Sequence, residues 1–212
     1  MDSQVKKSRV QSTQDAPASD ADIVRGIVEI ERAYSRAYYE LSEQLMVEIG
    51  AQIRSAIPED WQAVGSSEGA SITVPDWRST RGAGRGDVWL ELAEVANDEL
   101  EHSWIAAATA SGETRMVLEL RVRNGLPAFP VILSANAGTA ALLMERGFEQ
   151  AEAGTRLFVP IKLDQDLLAS AFENGDFGDA LVPVTHAIEL VVAAKGDIDG
   201  LVALLRKRGG TS

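Results

Sequence analysis

Hydrophobic residues between positions 20 and 57 recur every three or four residues, which is the spacing of one face of an α-helix. The members of this apolar stripe are Ile23, Ile27, Ile30, Tyr34, Tyr38, Leu41, Leu45, Ile49 and Ile53. Ser19 offers a capping oxygen at the start, and Pro58 ends the run because proline has no N–H donor. At 1.5 Å per residue the helix would be about 55 Å long. A helix of that length must cross the protein, project from it or pair with a second copy.

A different pattern, typical of β-strands, occupies the middle of the chain. Short polar turns separate three strand candidates at residues 87–95, 103–110 and 116–122. Alternation is clearest in the first candidate, where Val88, Leu90 and Leu92 share one face. Residues 61–64 and 72–74 are weaker strand candidates. We therefore predict an antiparallel meander whose apolar face packs against the stripe of the long helix.

The C-terminal half alternates between helical segments and one further strand. The predicted helices are residues 137–146, 165–173, 179–194 and 201–208, and the predicted strand is 156–163. Asp164 and Asp197 are candidate N-caps, and Gly147 and Gly175 are candidate C-caps. Pro160 places the strand at an edge or a bulge, because proline cannot donate to a central ladder. The fold class predicted is α+β: a long N-terminal helix packed on a mainly antiparallel sheet, with C-terminal helices covering it.

Two domain-level predictions accompany this fold. Residues 1–18 are polar and lack periodicity, which is typical of a disordered leader. Residues 19–212 are long enough to bury one core and are predicted to form a single α+β domain.

The net charge of the chain limits the kinds of macromolecule that it is expected to bind. The net charge of −12 makes nucleic acid an unfavourable partner, because a general nucleic-acid binder needs a basic face to displace counterions from phosphates. Acidic residues are concentrated between Gly86 and Gly112, where there is no Lys or Arg. This segment predicts a solvated acidic face, or an acidic surface that docks a basic partner or imitates DNA.

The composition also limits the chemistry. The chain has no cysteine, which excludes disulfides, thiol nucleophiles and thiolate zinc sites. His102 and His186 are the only histidines, and neither lies among three ligands at a recognisable metal spacing. No secretory signal and no membrane-spanning apolar run are present. We therefore predict a cytoplasmic protein with no metal and no cofactor.

Residues 136–148, NAGTAALLMERGF, carry a first resemblance. Asn136, Ala140, Leu143, Gly147 and Phe148, followed by a strand, resemble the closing segment of the acetyltransferase fold that uses acetyl-coenzyme A. The resemblance implies coenzyme A binding, with a glycine-rich turn whose amides hold the pyrophosphate. The candidate turn is residues 81–86, RGAGRG.

Three acids and an arginine carry a second resemblance. Glu119-Leu120-Arg121 on a strand, Asp87 on an earlier strand and Glu40 on the preceding helix resemble the core of PD-(D/E)xK nucleases. The resemblance implies that carboxylates hold a divalent cation, with Arg121 in the place of the usual lysine. The catalytic candidates are therefore Glu40, Asp87, Glu119 and Arg121.

The tyrosines suggest a third function. Tyr34, Tyr38 and Tyr39 are all the tyrosines of the chain, and they cluster on the long helix. Tyrosine combines a large apolar area with a polar tip, which suits interfaces as well as cores. The leading hypothesis is a non-enzymatic protein that contacts a protein partner or a second copy through Tyr34, Tyr38, Tyr39 and Leu45.

Overall fold

The computed structural model describes residues 19–78, 86–97, 99–127, 129–151 and 156–209. The predicted leader, residues 1–18, lies outside these ranges. The chain divides into two units, Met1–Ser35 and Arg36–Ser212. The single domain predicted for residues 19–212 stays a prediction.

The first unit contains two short helices, α1 (Asp20–Arg25) and α2 (Ile27–Ser35). The Ser19 hydroxyl accepts a hydrogen bond from the backbone N–H of Asp22, so the predicted cap is confirmed. From Asp20 to Ser35 every residue is exposed except the half-exposed Gly26.

The second unit begins with a π-helix, Arg36–Leu41, which continues into α3 (Ser42–Ala56). The apolar side of α3, with Leu45, Ile49 and Ile53, is buried and packs against the sheet and against the helix α8 (Val182–Ala193). The Ser42 hydroxyl donates to the Ala37 carbonyl at 2.7 Å and accepts from the Trp104 N–H at 3.1 Å. The predicted packing on the sheet is therefore confirmed for α3, whereas the predicted single helix is divided at Gly26 and by the π-helix.

Six strands form one antiparallel sheet in the order β1-β2-β3-β4-β6-β5. Their bounds are β1 Gln62–Ser66, β2 Gly69–Thr73, β3 Val88–Ala96, β4 Thr114–Val122, β5 Glu149–Gln150 and β6 Leu157–Ile161. Strands β3 and β4 pair along their whole length, from Val88 opposite Val122 to Ala96 opposite Thr114. Pro160 faces β4 on one side only, because β5 reaches just Leu157 and Phe158. Since β6 itself lies between β4 and β5, the predicted edge position holds only for the end of β6 that contains Pro160.

The strand predicted at residues 103–110 is wrong. This segment forms a helix, α4 (Trp104–Thr109), whose N-cap Ser103 accepts a hydrogen bond from the Ala106 N–H at 3.2 Å. Its central alanines have the highest helix propensity of any residue, and the segment lacks the alternation of a half-buried strand. The sheet is therefore not a simple meander, because α4 separates β3 from β4 along the chain. This helix packs on the side of the sheet that faces the hydrophobic core.

The remaining helices lie in the C-terminal half. Besides α8 they are α5 Phe129–Ser134, α6 Ala137–Glu145, α7 Gln165–Asn174 and α9 Lys195–Gly209. Asp164 caps α7, and Gly147 and Gly175 adopt positive φ after α6 and α7, so three predicted caps are confirmed. The last helix starts at Lys195, and Asp197 therefore lies in its first turn, where it pairs with Arg146 at 3.1 Å. Asp197 is not an N-cap, which corrects the prediction.

A buried tryptophan connects α9 to the loop after β2. Trp77 is fully buried, and its indole N–H donates to Asp199 at 2.6 Å. Lys195 donates to Asp199 and to Asp76, each at 2.7 Å. These hydrogen bonds raise the pKa of Lys195, chiefly the one to Asp199 and then the one to Asp76, despite the opposing effect of burial. In the described part of the chain, no helix is both long enough and apolar enough to span a membrane.

Candidate functional site

The two faces of the sheet have opposite character. One face, the core face, presents the alternate apolar residues of β3, β4 and β6, such as Leu90, Leu118 and Val159, to the helices. The other is called here the charged face. Its charged residues on β3 and β4, with Asp87 just before β3 and Arg123 just after β4, are Asp87, Glu91, Arg115, Glu119, Arg121 and Arg123. Three of the four catalytic candidates are therefore brought onto one face by strand register.

Glu119 is the most enclosed of these charges. Its side chain is buried, and the guanidinium of Arg156 donates to Oε2 at 3.0 Å from Nε and at 2.5 Å from one terminal nitrogen. The same guanidinium donates to the Glu94 carbonyl, at 3.0 Å. Arg121 lies 3.3 Å from the other Glu119 oxygen and also pairs with Glu91 at 3.0 Å. Two arginines thus neutralise two glutamates that stand directly opposite each other on β3 and β4.

Asp87 is held in the same way at the other end of the charged face. Arg123 donates to one carboxylate oxygen at 3.0 Å, and Arg206 of α9 donates to the other at 2.9 Å. Burial alone raises the pKa of Asp87, but the hydrogen bonds and charges of Arg206 and Arg123 outweigh it. The pKa of the Asp87 carboxyl is therefore below its ordinary value.

This lowered pKa predicts an acid-dependent loss of stability. The contribution of Asp87 is fully present above its unfolded-state pKa, near 3.8, and is lost as the pH falls through the lower folded-state value. Asp87→Asn is expected to cost about 2 kcal/mol at neutral pH, the scale of hydrogen bonds to a charged group. In urea unfolding, the difference between the two proteins should shrink below pH 3.8. The exposed Asp60 supplies the control, Asp60→Asn, and a pH-independent cost at Asp87 would contradict the assignment.

The charged face does not form a shared cation site with the fourth candidate. Asp87 lies beside Arg123, which is four residues after Glu119 along the chain. At the rise of a β-strand, four residues correspond to about 13 Å between Asp87 and Glu119. Glu40 lies on the π-helix, is exposed and pairs with Arg36 at 3.7 Å. The π-helix packs with α3 and α4, which lie on the core face. Among the described residues, no three side chains of His, Asp or Glu are grouped as a metal site.

The segment that resembles acetyltransferases has the predicted local structure. Residues 137–145 form α6, Gly147 follows with positive φ, and Phe148 is buried ahead of β5. The Asn136 side-chain amide, just before α6, donates to the Ile132 carbonyl of α5 at 2.8 Å. Most of the glycine-rich turn, residues 81–85, lies outside the described residues, and Gly86 leads into β3. The coenzyme A interpretation therefore stays a prediction.

A cavity lies between the β1–β2 hairpin and β3. Its volume is about 240 Å³, and Ser66, Glu68, Ser71 and Glu91 contribute polar groups to its lining. Cavities that bind small organic ligands are usually larger and mostly apolar, about 300–1,000 Å³. This cavity therefore gives no support for a small-molecule substrate.

The four binding candidates are placed in three environments. Tyr34 is half exposed on α2 in the first unit. Tyr38 is half-buried and Tyr39 is exposed on the π-helix, with their rings 5.0 Å apart in an edge-to-face contact. Leu45 is 0% exposed in the core of the second unit. Leu45 is therefore a packing residue and does not lie on a contact surface.

The first unit carries an exposed apolar surface, called here the N-terminal stripe. Its six members, all between 42% and 72% exposed, are Ile23, Val24, Ile27, Val28, Ile30 and Tyr34. The stripe predicted from the sequence includes four of them and omits Val24 and Val28, because each of these lies one position after a residue already assigned to the stripe. The adjacent pairs Ile23-Val24 and Ile27-Val28 were the available signal, since paired apolar residues widen a helical face.

Comparison with known proteins does not assign a function to the charged face or to the N-terminal stripe. No protein family model, no curated protein and no solved structure matches the chain.

Proposed function

We propose that this chain works through protein contacts made by the N-terminal stripe and has no catalytic activity of its own. The observation that carries the proposal is the exposure of six large apolar side chains on one pair of helices. Single exposed apolar residues are ordinary, but a contiguous apolar surface marks an interaction site. The same periodic pattern continues into α3, where it is buried, so exposure distinguishes the first unit.

The free energy of burying apolar side chains favours a partner surface that covers the N-terminal stripe. The helical segment of residues 20–35 is about 24 Å long, and helices of this length are marginal in water unless an apolar face is packed. Each half-exposed side chain of the stripe offers about 1 kcal/mol on burial, or about 6 kcal/mol for the set. The partner surface buries a comparable apolar area, which brings the total to about 12 kcal/mol. Association costs about 4–15 kcal/mol, so the two amounts are similar and the expected contact is reversible.

The charged face supports a structural role better than a catalytic one. A general base or a cation ligand needs a carboxylate that is available to substrate or metal. Arg123 and Arg206 occupy the oxygens of Asp87, while Arg156 and Arg121 occupy those of Glu119. A cation at either carboxylate would have to displace these guanidinium groups. The PD-(D/E)xK alternative is therefore less favoured by this geometry than a contact function.

The contact is proposed to be made in the cytoplasm. A chain without cysteine is suited to a reducing compartment, where disulfides do not contribute to stability.

Photocrosslinking inside cells that express the protein tests the proposal. A photoreactive benzoylphenylalanine in place of Ile30 should give one discrete covalent adduct on illumination, because the stripe is occupied by one specific surface. The matched control is the same residue in place of Leu167, which is similarly exposed on α7 in the second unit. That position should give no discrete adduct.

A second variant connects the adduct to the apolar surface. Ile27→Glu places a charge at the centre of the stripe and should abolish crosslinking from position 30, whereas Leu167→Glu should leave it unchanged. Absence of an adduct at position 30 in the otherwise unchanged protein would refute the contact function.

A further inference from the structure

We propose that Arg123 and Arg206, which are held in place by Asp87, form a binding site for the phosphate group of a phosphate monoester. These two arginines are called here the arginine pair. They meet where β3 begins and β4 ends, with Arg206 reaching this point from α9. The site does not involve the N-terminal stripe, so the inference goes beyond the proposed contact function and is tested independently of it.

Asp87 holds each member of the arginine pair by a single guanidinium nitrogen. The Nε of Arg123 donates to one carboxylate oxygen at 3.0 Å, and the Nε of Arg206 donates to the other at 2.9 Å. One terminal nitrogen of Arg206 also donates to the Arg78 carbonyl at 2.7 Å. Among the described residues, the terminal nitrogens of Arg123 have no hydrogen-bond acceptor. Because a guanidinium carries five N–H donors, the arginine pair retains donors for a second anion.

The arginine pair supplies more positive charge than Asp87 requires. One guanidinium is enough to neutralise one carboxylate, and no other carboxylate of the described residues pairs with Arg123 or Arg206. The Asp87 side chain is 7% exposed, whereas those of Arg123 and Arg206 are 47% and 38% exposed. The helix dipole favours a cation in the last turn of α9, which explains Arg206 but not Arg123 at the end of β4. The surplus charge is therefore presented to solvent.

Two further cations lie beside the arginine pair. Arg78 is exposed, and its backbone carbonyl is bound by Arg206. Lys207 is exposed and follows Arg206 in the last turn of α9. Neither residue forms an ion pair with a carboxylate in the described part of the chain. Both therefore add to the positive potential around the site.

The acids nearest to this group are already paired. Lys195 binds both Asp76 and Asp199, each at 2.7 Å. The pKa of Asp76 is lowered, chiefly by Lys195 and to a smaller extent by the charge of Arg206, so Asp76 is close enough to sense the arginine pair. The charges at this end of the sheet are Arg78, Arg123, Lys195, Arg206 and Lys207 against Asp76, Asp87 and Asp199. The local balance is +2, in a chain whose net charge is −12.

This balance favours a compact anion. The planar fork of a guanidinium matches the oxygens of a phosphate, and a phosphate monoester carries nearly two negative charges at neutral pH. A carboxylate ligand brings only one charge and gains less from the local field. A long nucleic acid would extend beyond the few cations onto a strongly acidic protein, where its phosphates are repelled. The phosphate monoester is therefore the class of ligand that fits the site.

Titration of the full chain with inorganic phosphate tests the site. At constant ionic strength, the side-chain N–H resonances of Arg123 and Arg206 should shift and saturate, whereas chloride should produce no saturable shift. Arg123→Gln should weaken phosphate binding about tenfold, the effect of losing a hydrogen bond between charged groups. The matched control is Arg115→Gln, at the other end of β4, where the arginine is 39% exposed and pairs with Glu149. This control should leave phosphate binding unchanged.

A second variant avoids the contact with Asp87. Lys207→Gln removes an exposed charge beside the arginine pair and should also weaken phosphate binding, although by less than Arg123→Gln. Far-ultraviolet circular dichroism verifies that each variant is folded. Absence of a saturable shift with phosphate, or equal weakening by Arg115→Gln and Arg123→Gln, would overturn the inference.

Three further ligands distinguish the source of the phosphate group. They are a short glycine peptide with one phosphoserine, the same peptide without the phosphate, and glycerol phosphate. Tighter binding of the phosphopeptide supports a phosphorylated protein as the source, and tighter binding of glycerol phosphate supports a small metabolite. Binding of the unphosphorylated peptide with equal affinity would refute the phosphate site. Tighter binding of a single-stranded oligonucleotide than of either monoester would overturn the assignment to a compact anion.

Discussion

Glu119→Ala is expected to lower the free energy of unfolding by about 3 kcal/mol. Removing one partner of a buried ion pair costs about 3–5 kcal/mol, since the other charge is left buried and unpaired. The lower end applies because Arg121 and Arg156 retain some contact with water and can be partly solvated. Urea unfolding at neutral pH measures the change directly as a shift of the midpoint.

The matched control for this variant is Glu91→Ala. Glu91 stands opposite Glu119 and shares Arg121, but it is more exposed, so its loss should cost less than about 1 kcal/mol. Equal costs at the two positions would contradict the described geometry. A stabilising effect of Glu119→Ala would have a different meaning, because a charge retained at the expense of stability is typical of a functional residue. That outcome would favour the nuclease-like interpretation over the contact function.

Trp77→Ala is expected to cost about 3–5 kcal/mol, the range for removing a large aromatic side chain from a core. Trp77 is fully buried, its ring centroid lies 6.1 Å from that of Trp61, and its N–H donates to Asp199. The substitution therefore leaves a cavity and removes one of the hydrogen bonds between the 3-10 turn (Pro75–Trp77) and α9, while the bond from Lys195 to Asp76 remains. Thermal and urea unfolding should both report the loss.

Trp77→Phe separates the two contributions. Phenylalanine keeps much of the buried ring but has no donor, so Asp199 retains Lys195 as its remaining donor. A cost of about 2 kcal/mol is expected, in line with hydrogen bonds to charged groups. If the phenylalanine variant were as unstable as the alanine variant, the hydrogen bond and not the packing would dominate at this position.

Local pattern predicted most of the elements of this protein. The three-and-four spacing from Ile23 to Ile53 predicted the long helical segment, because a helix brings such residues to one side regardless of what covers them. Alternation in residues 87–95 and 116–122 likewise predicted β3 and β4. Caps at Asp164, Gly147 and Gly175 were predictable because each depends on a side chain or a glycine within a few residues.

Some features of the candidate sites were also predictable in part. Asp87, Glu119 and Arg121 were named from their positions on predicted strands, and the register of β3 with β4 places them on one face. The arginines that reach these carboxylates from distant segments were not predictable, because Arg156 is 37 residues from Glu119 and Arg206 is 119 residues from Asp87. Pairs at such separations depend on how distant elements pack, which carries no periodic signal along the chain.

The sequence by itself determined where the chain is helical, where it is extended at β3 and β4, and where several elements end. Tertiary structure decided what those elements face. Ile27 and Leu45 belong to one periodic stripe, yet Ile27 is exposed and Leu45 is buried. Residues 103–110 became a helix packed on β4, although the chain around them was predicted to be a meander. The physical reason is that periodicity records backbone geometry over a few residues, whereas burial and ion pairing depend on contacts between segments that are distant along the chain.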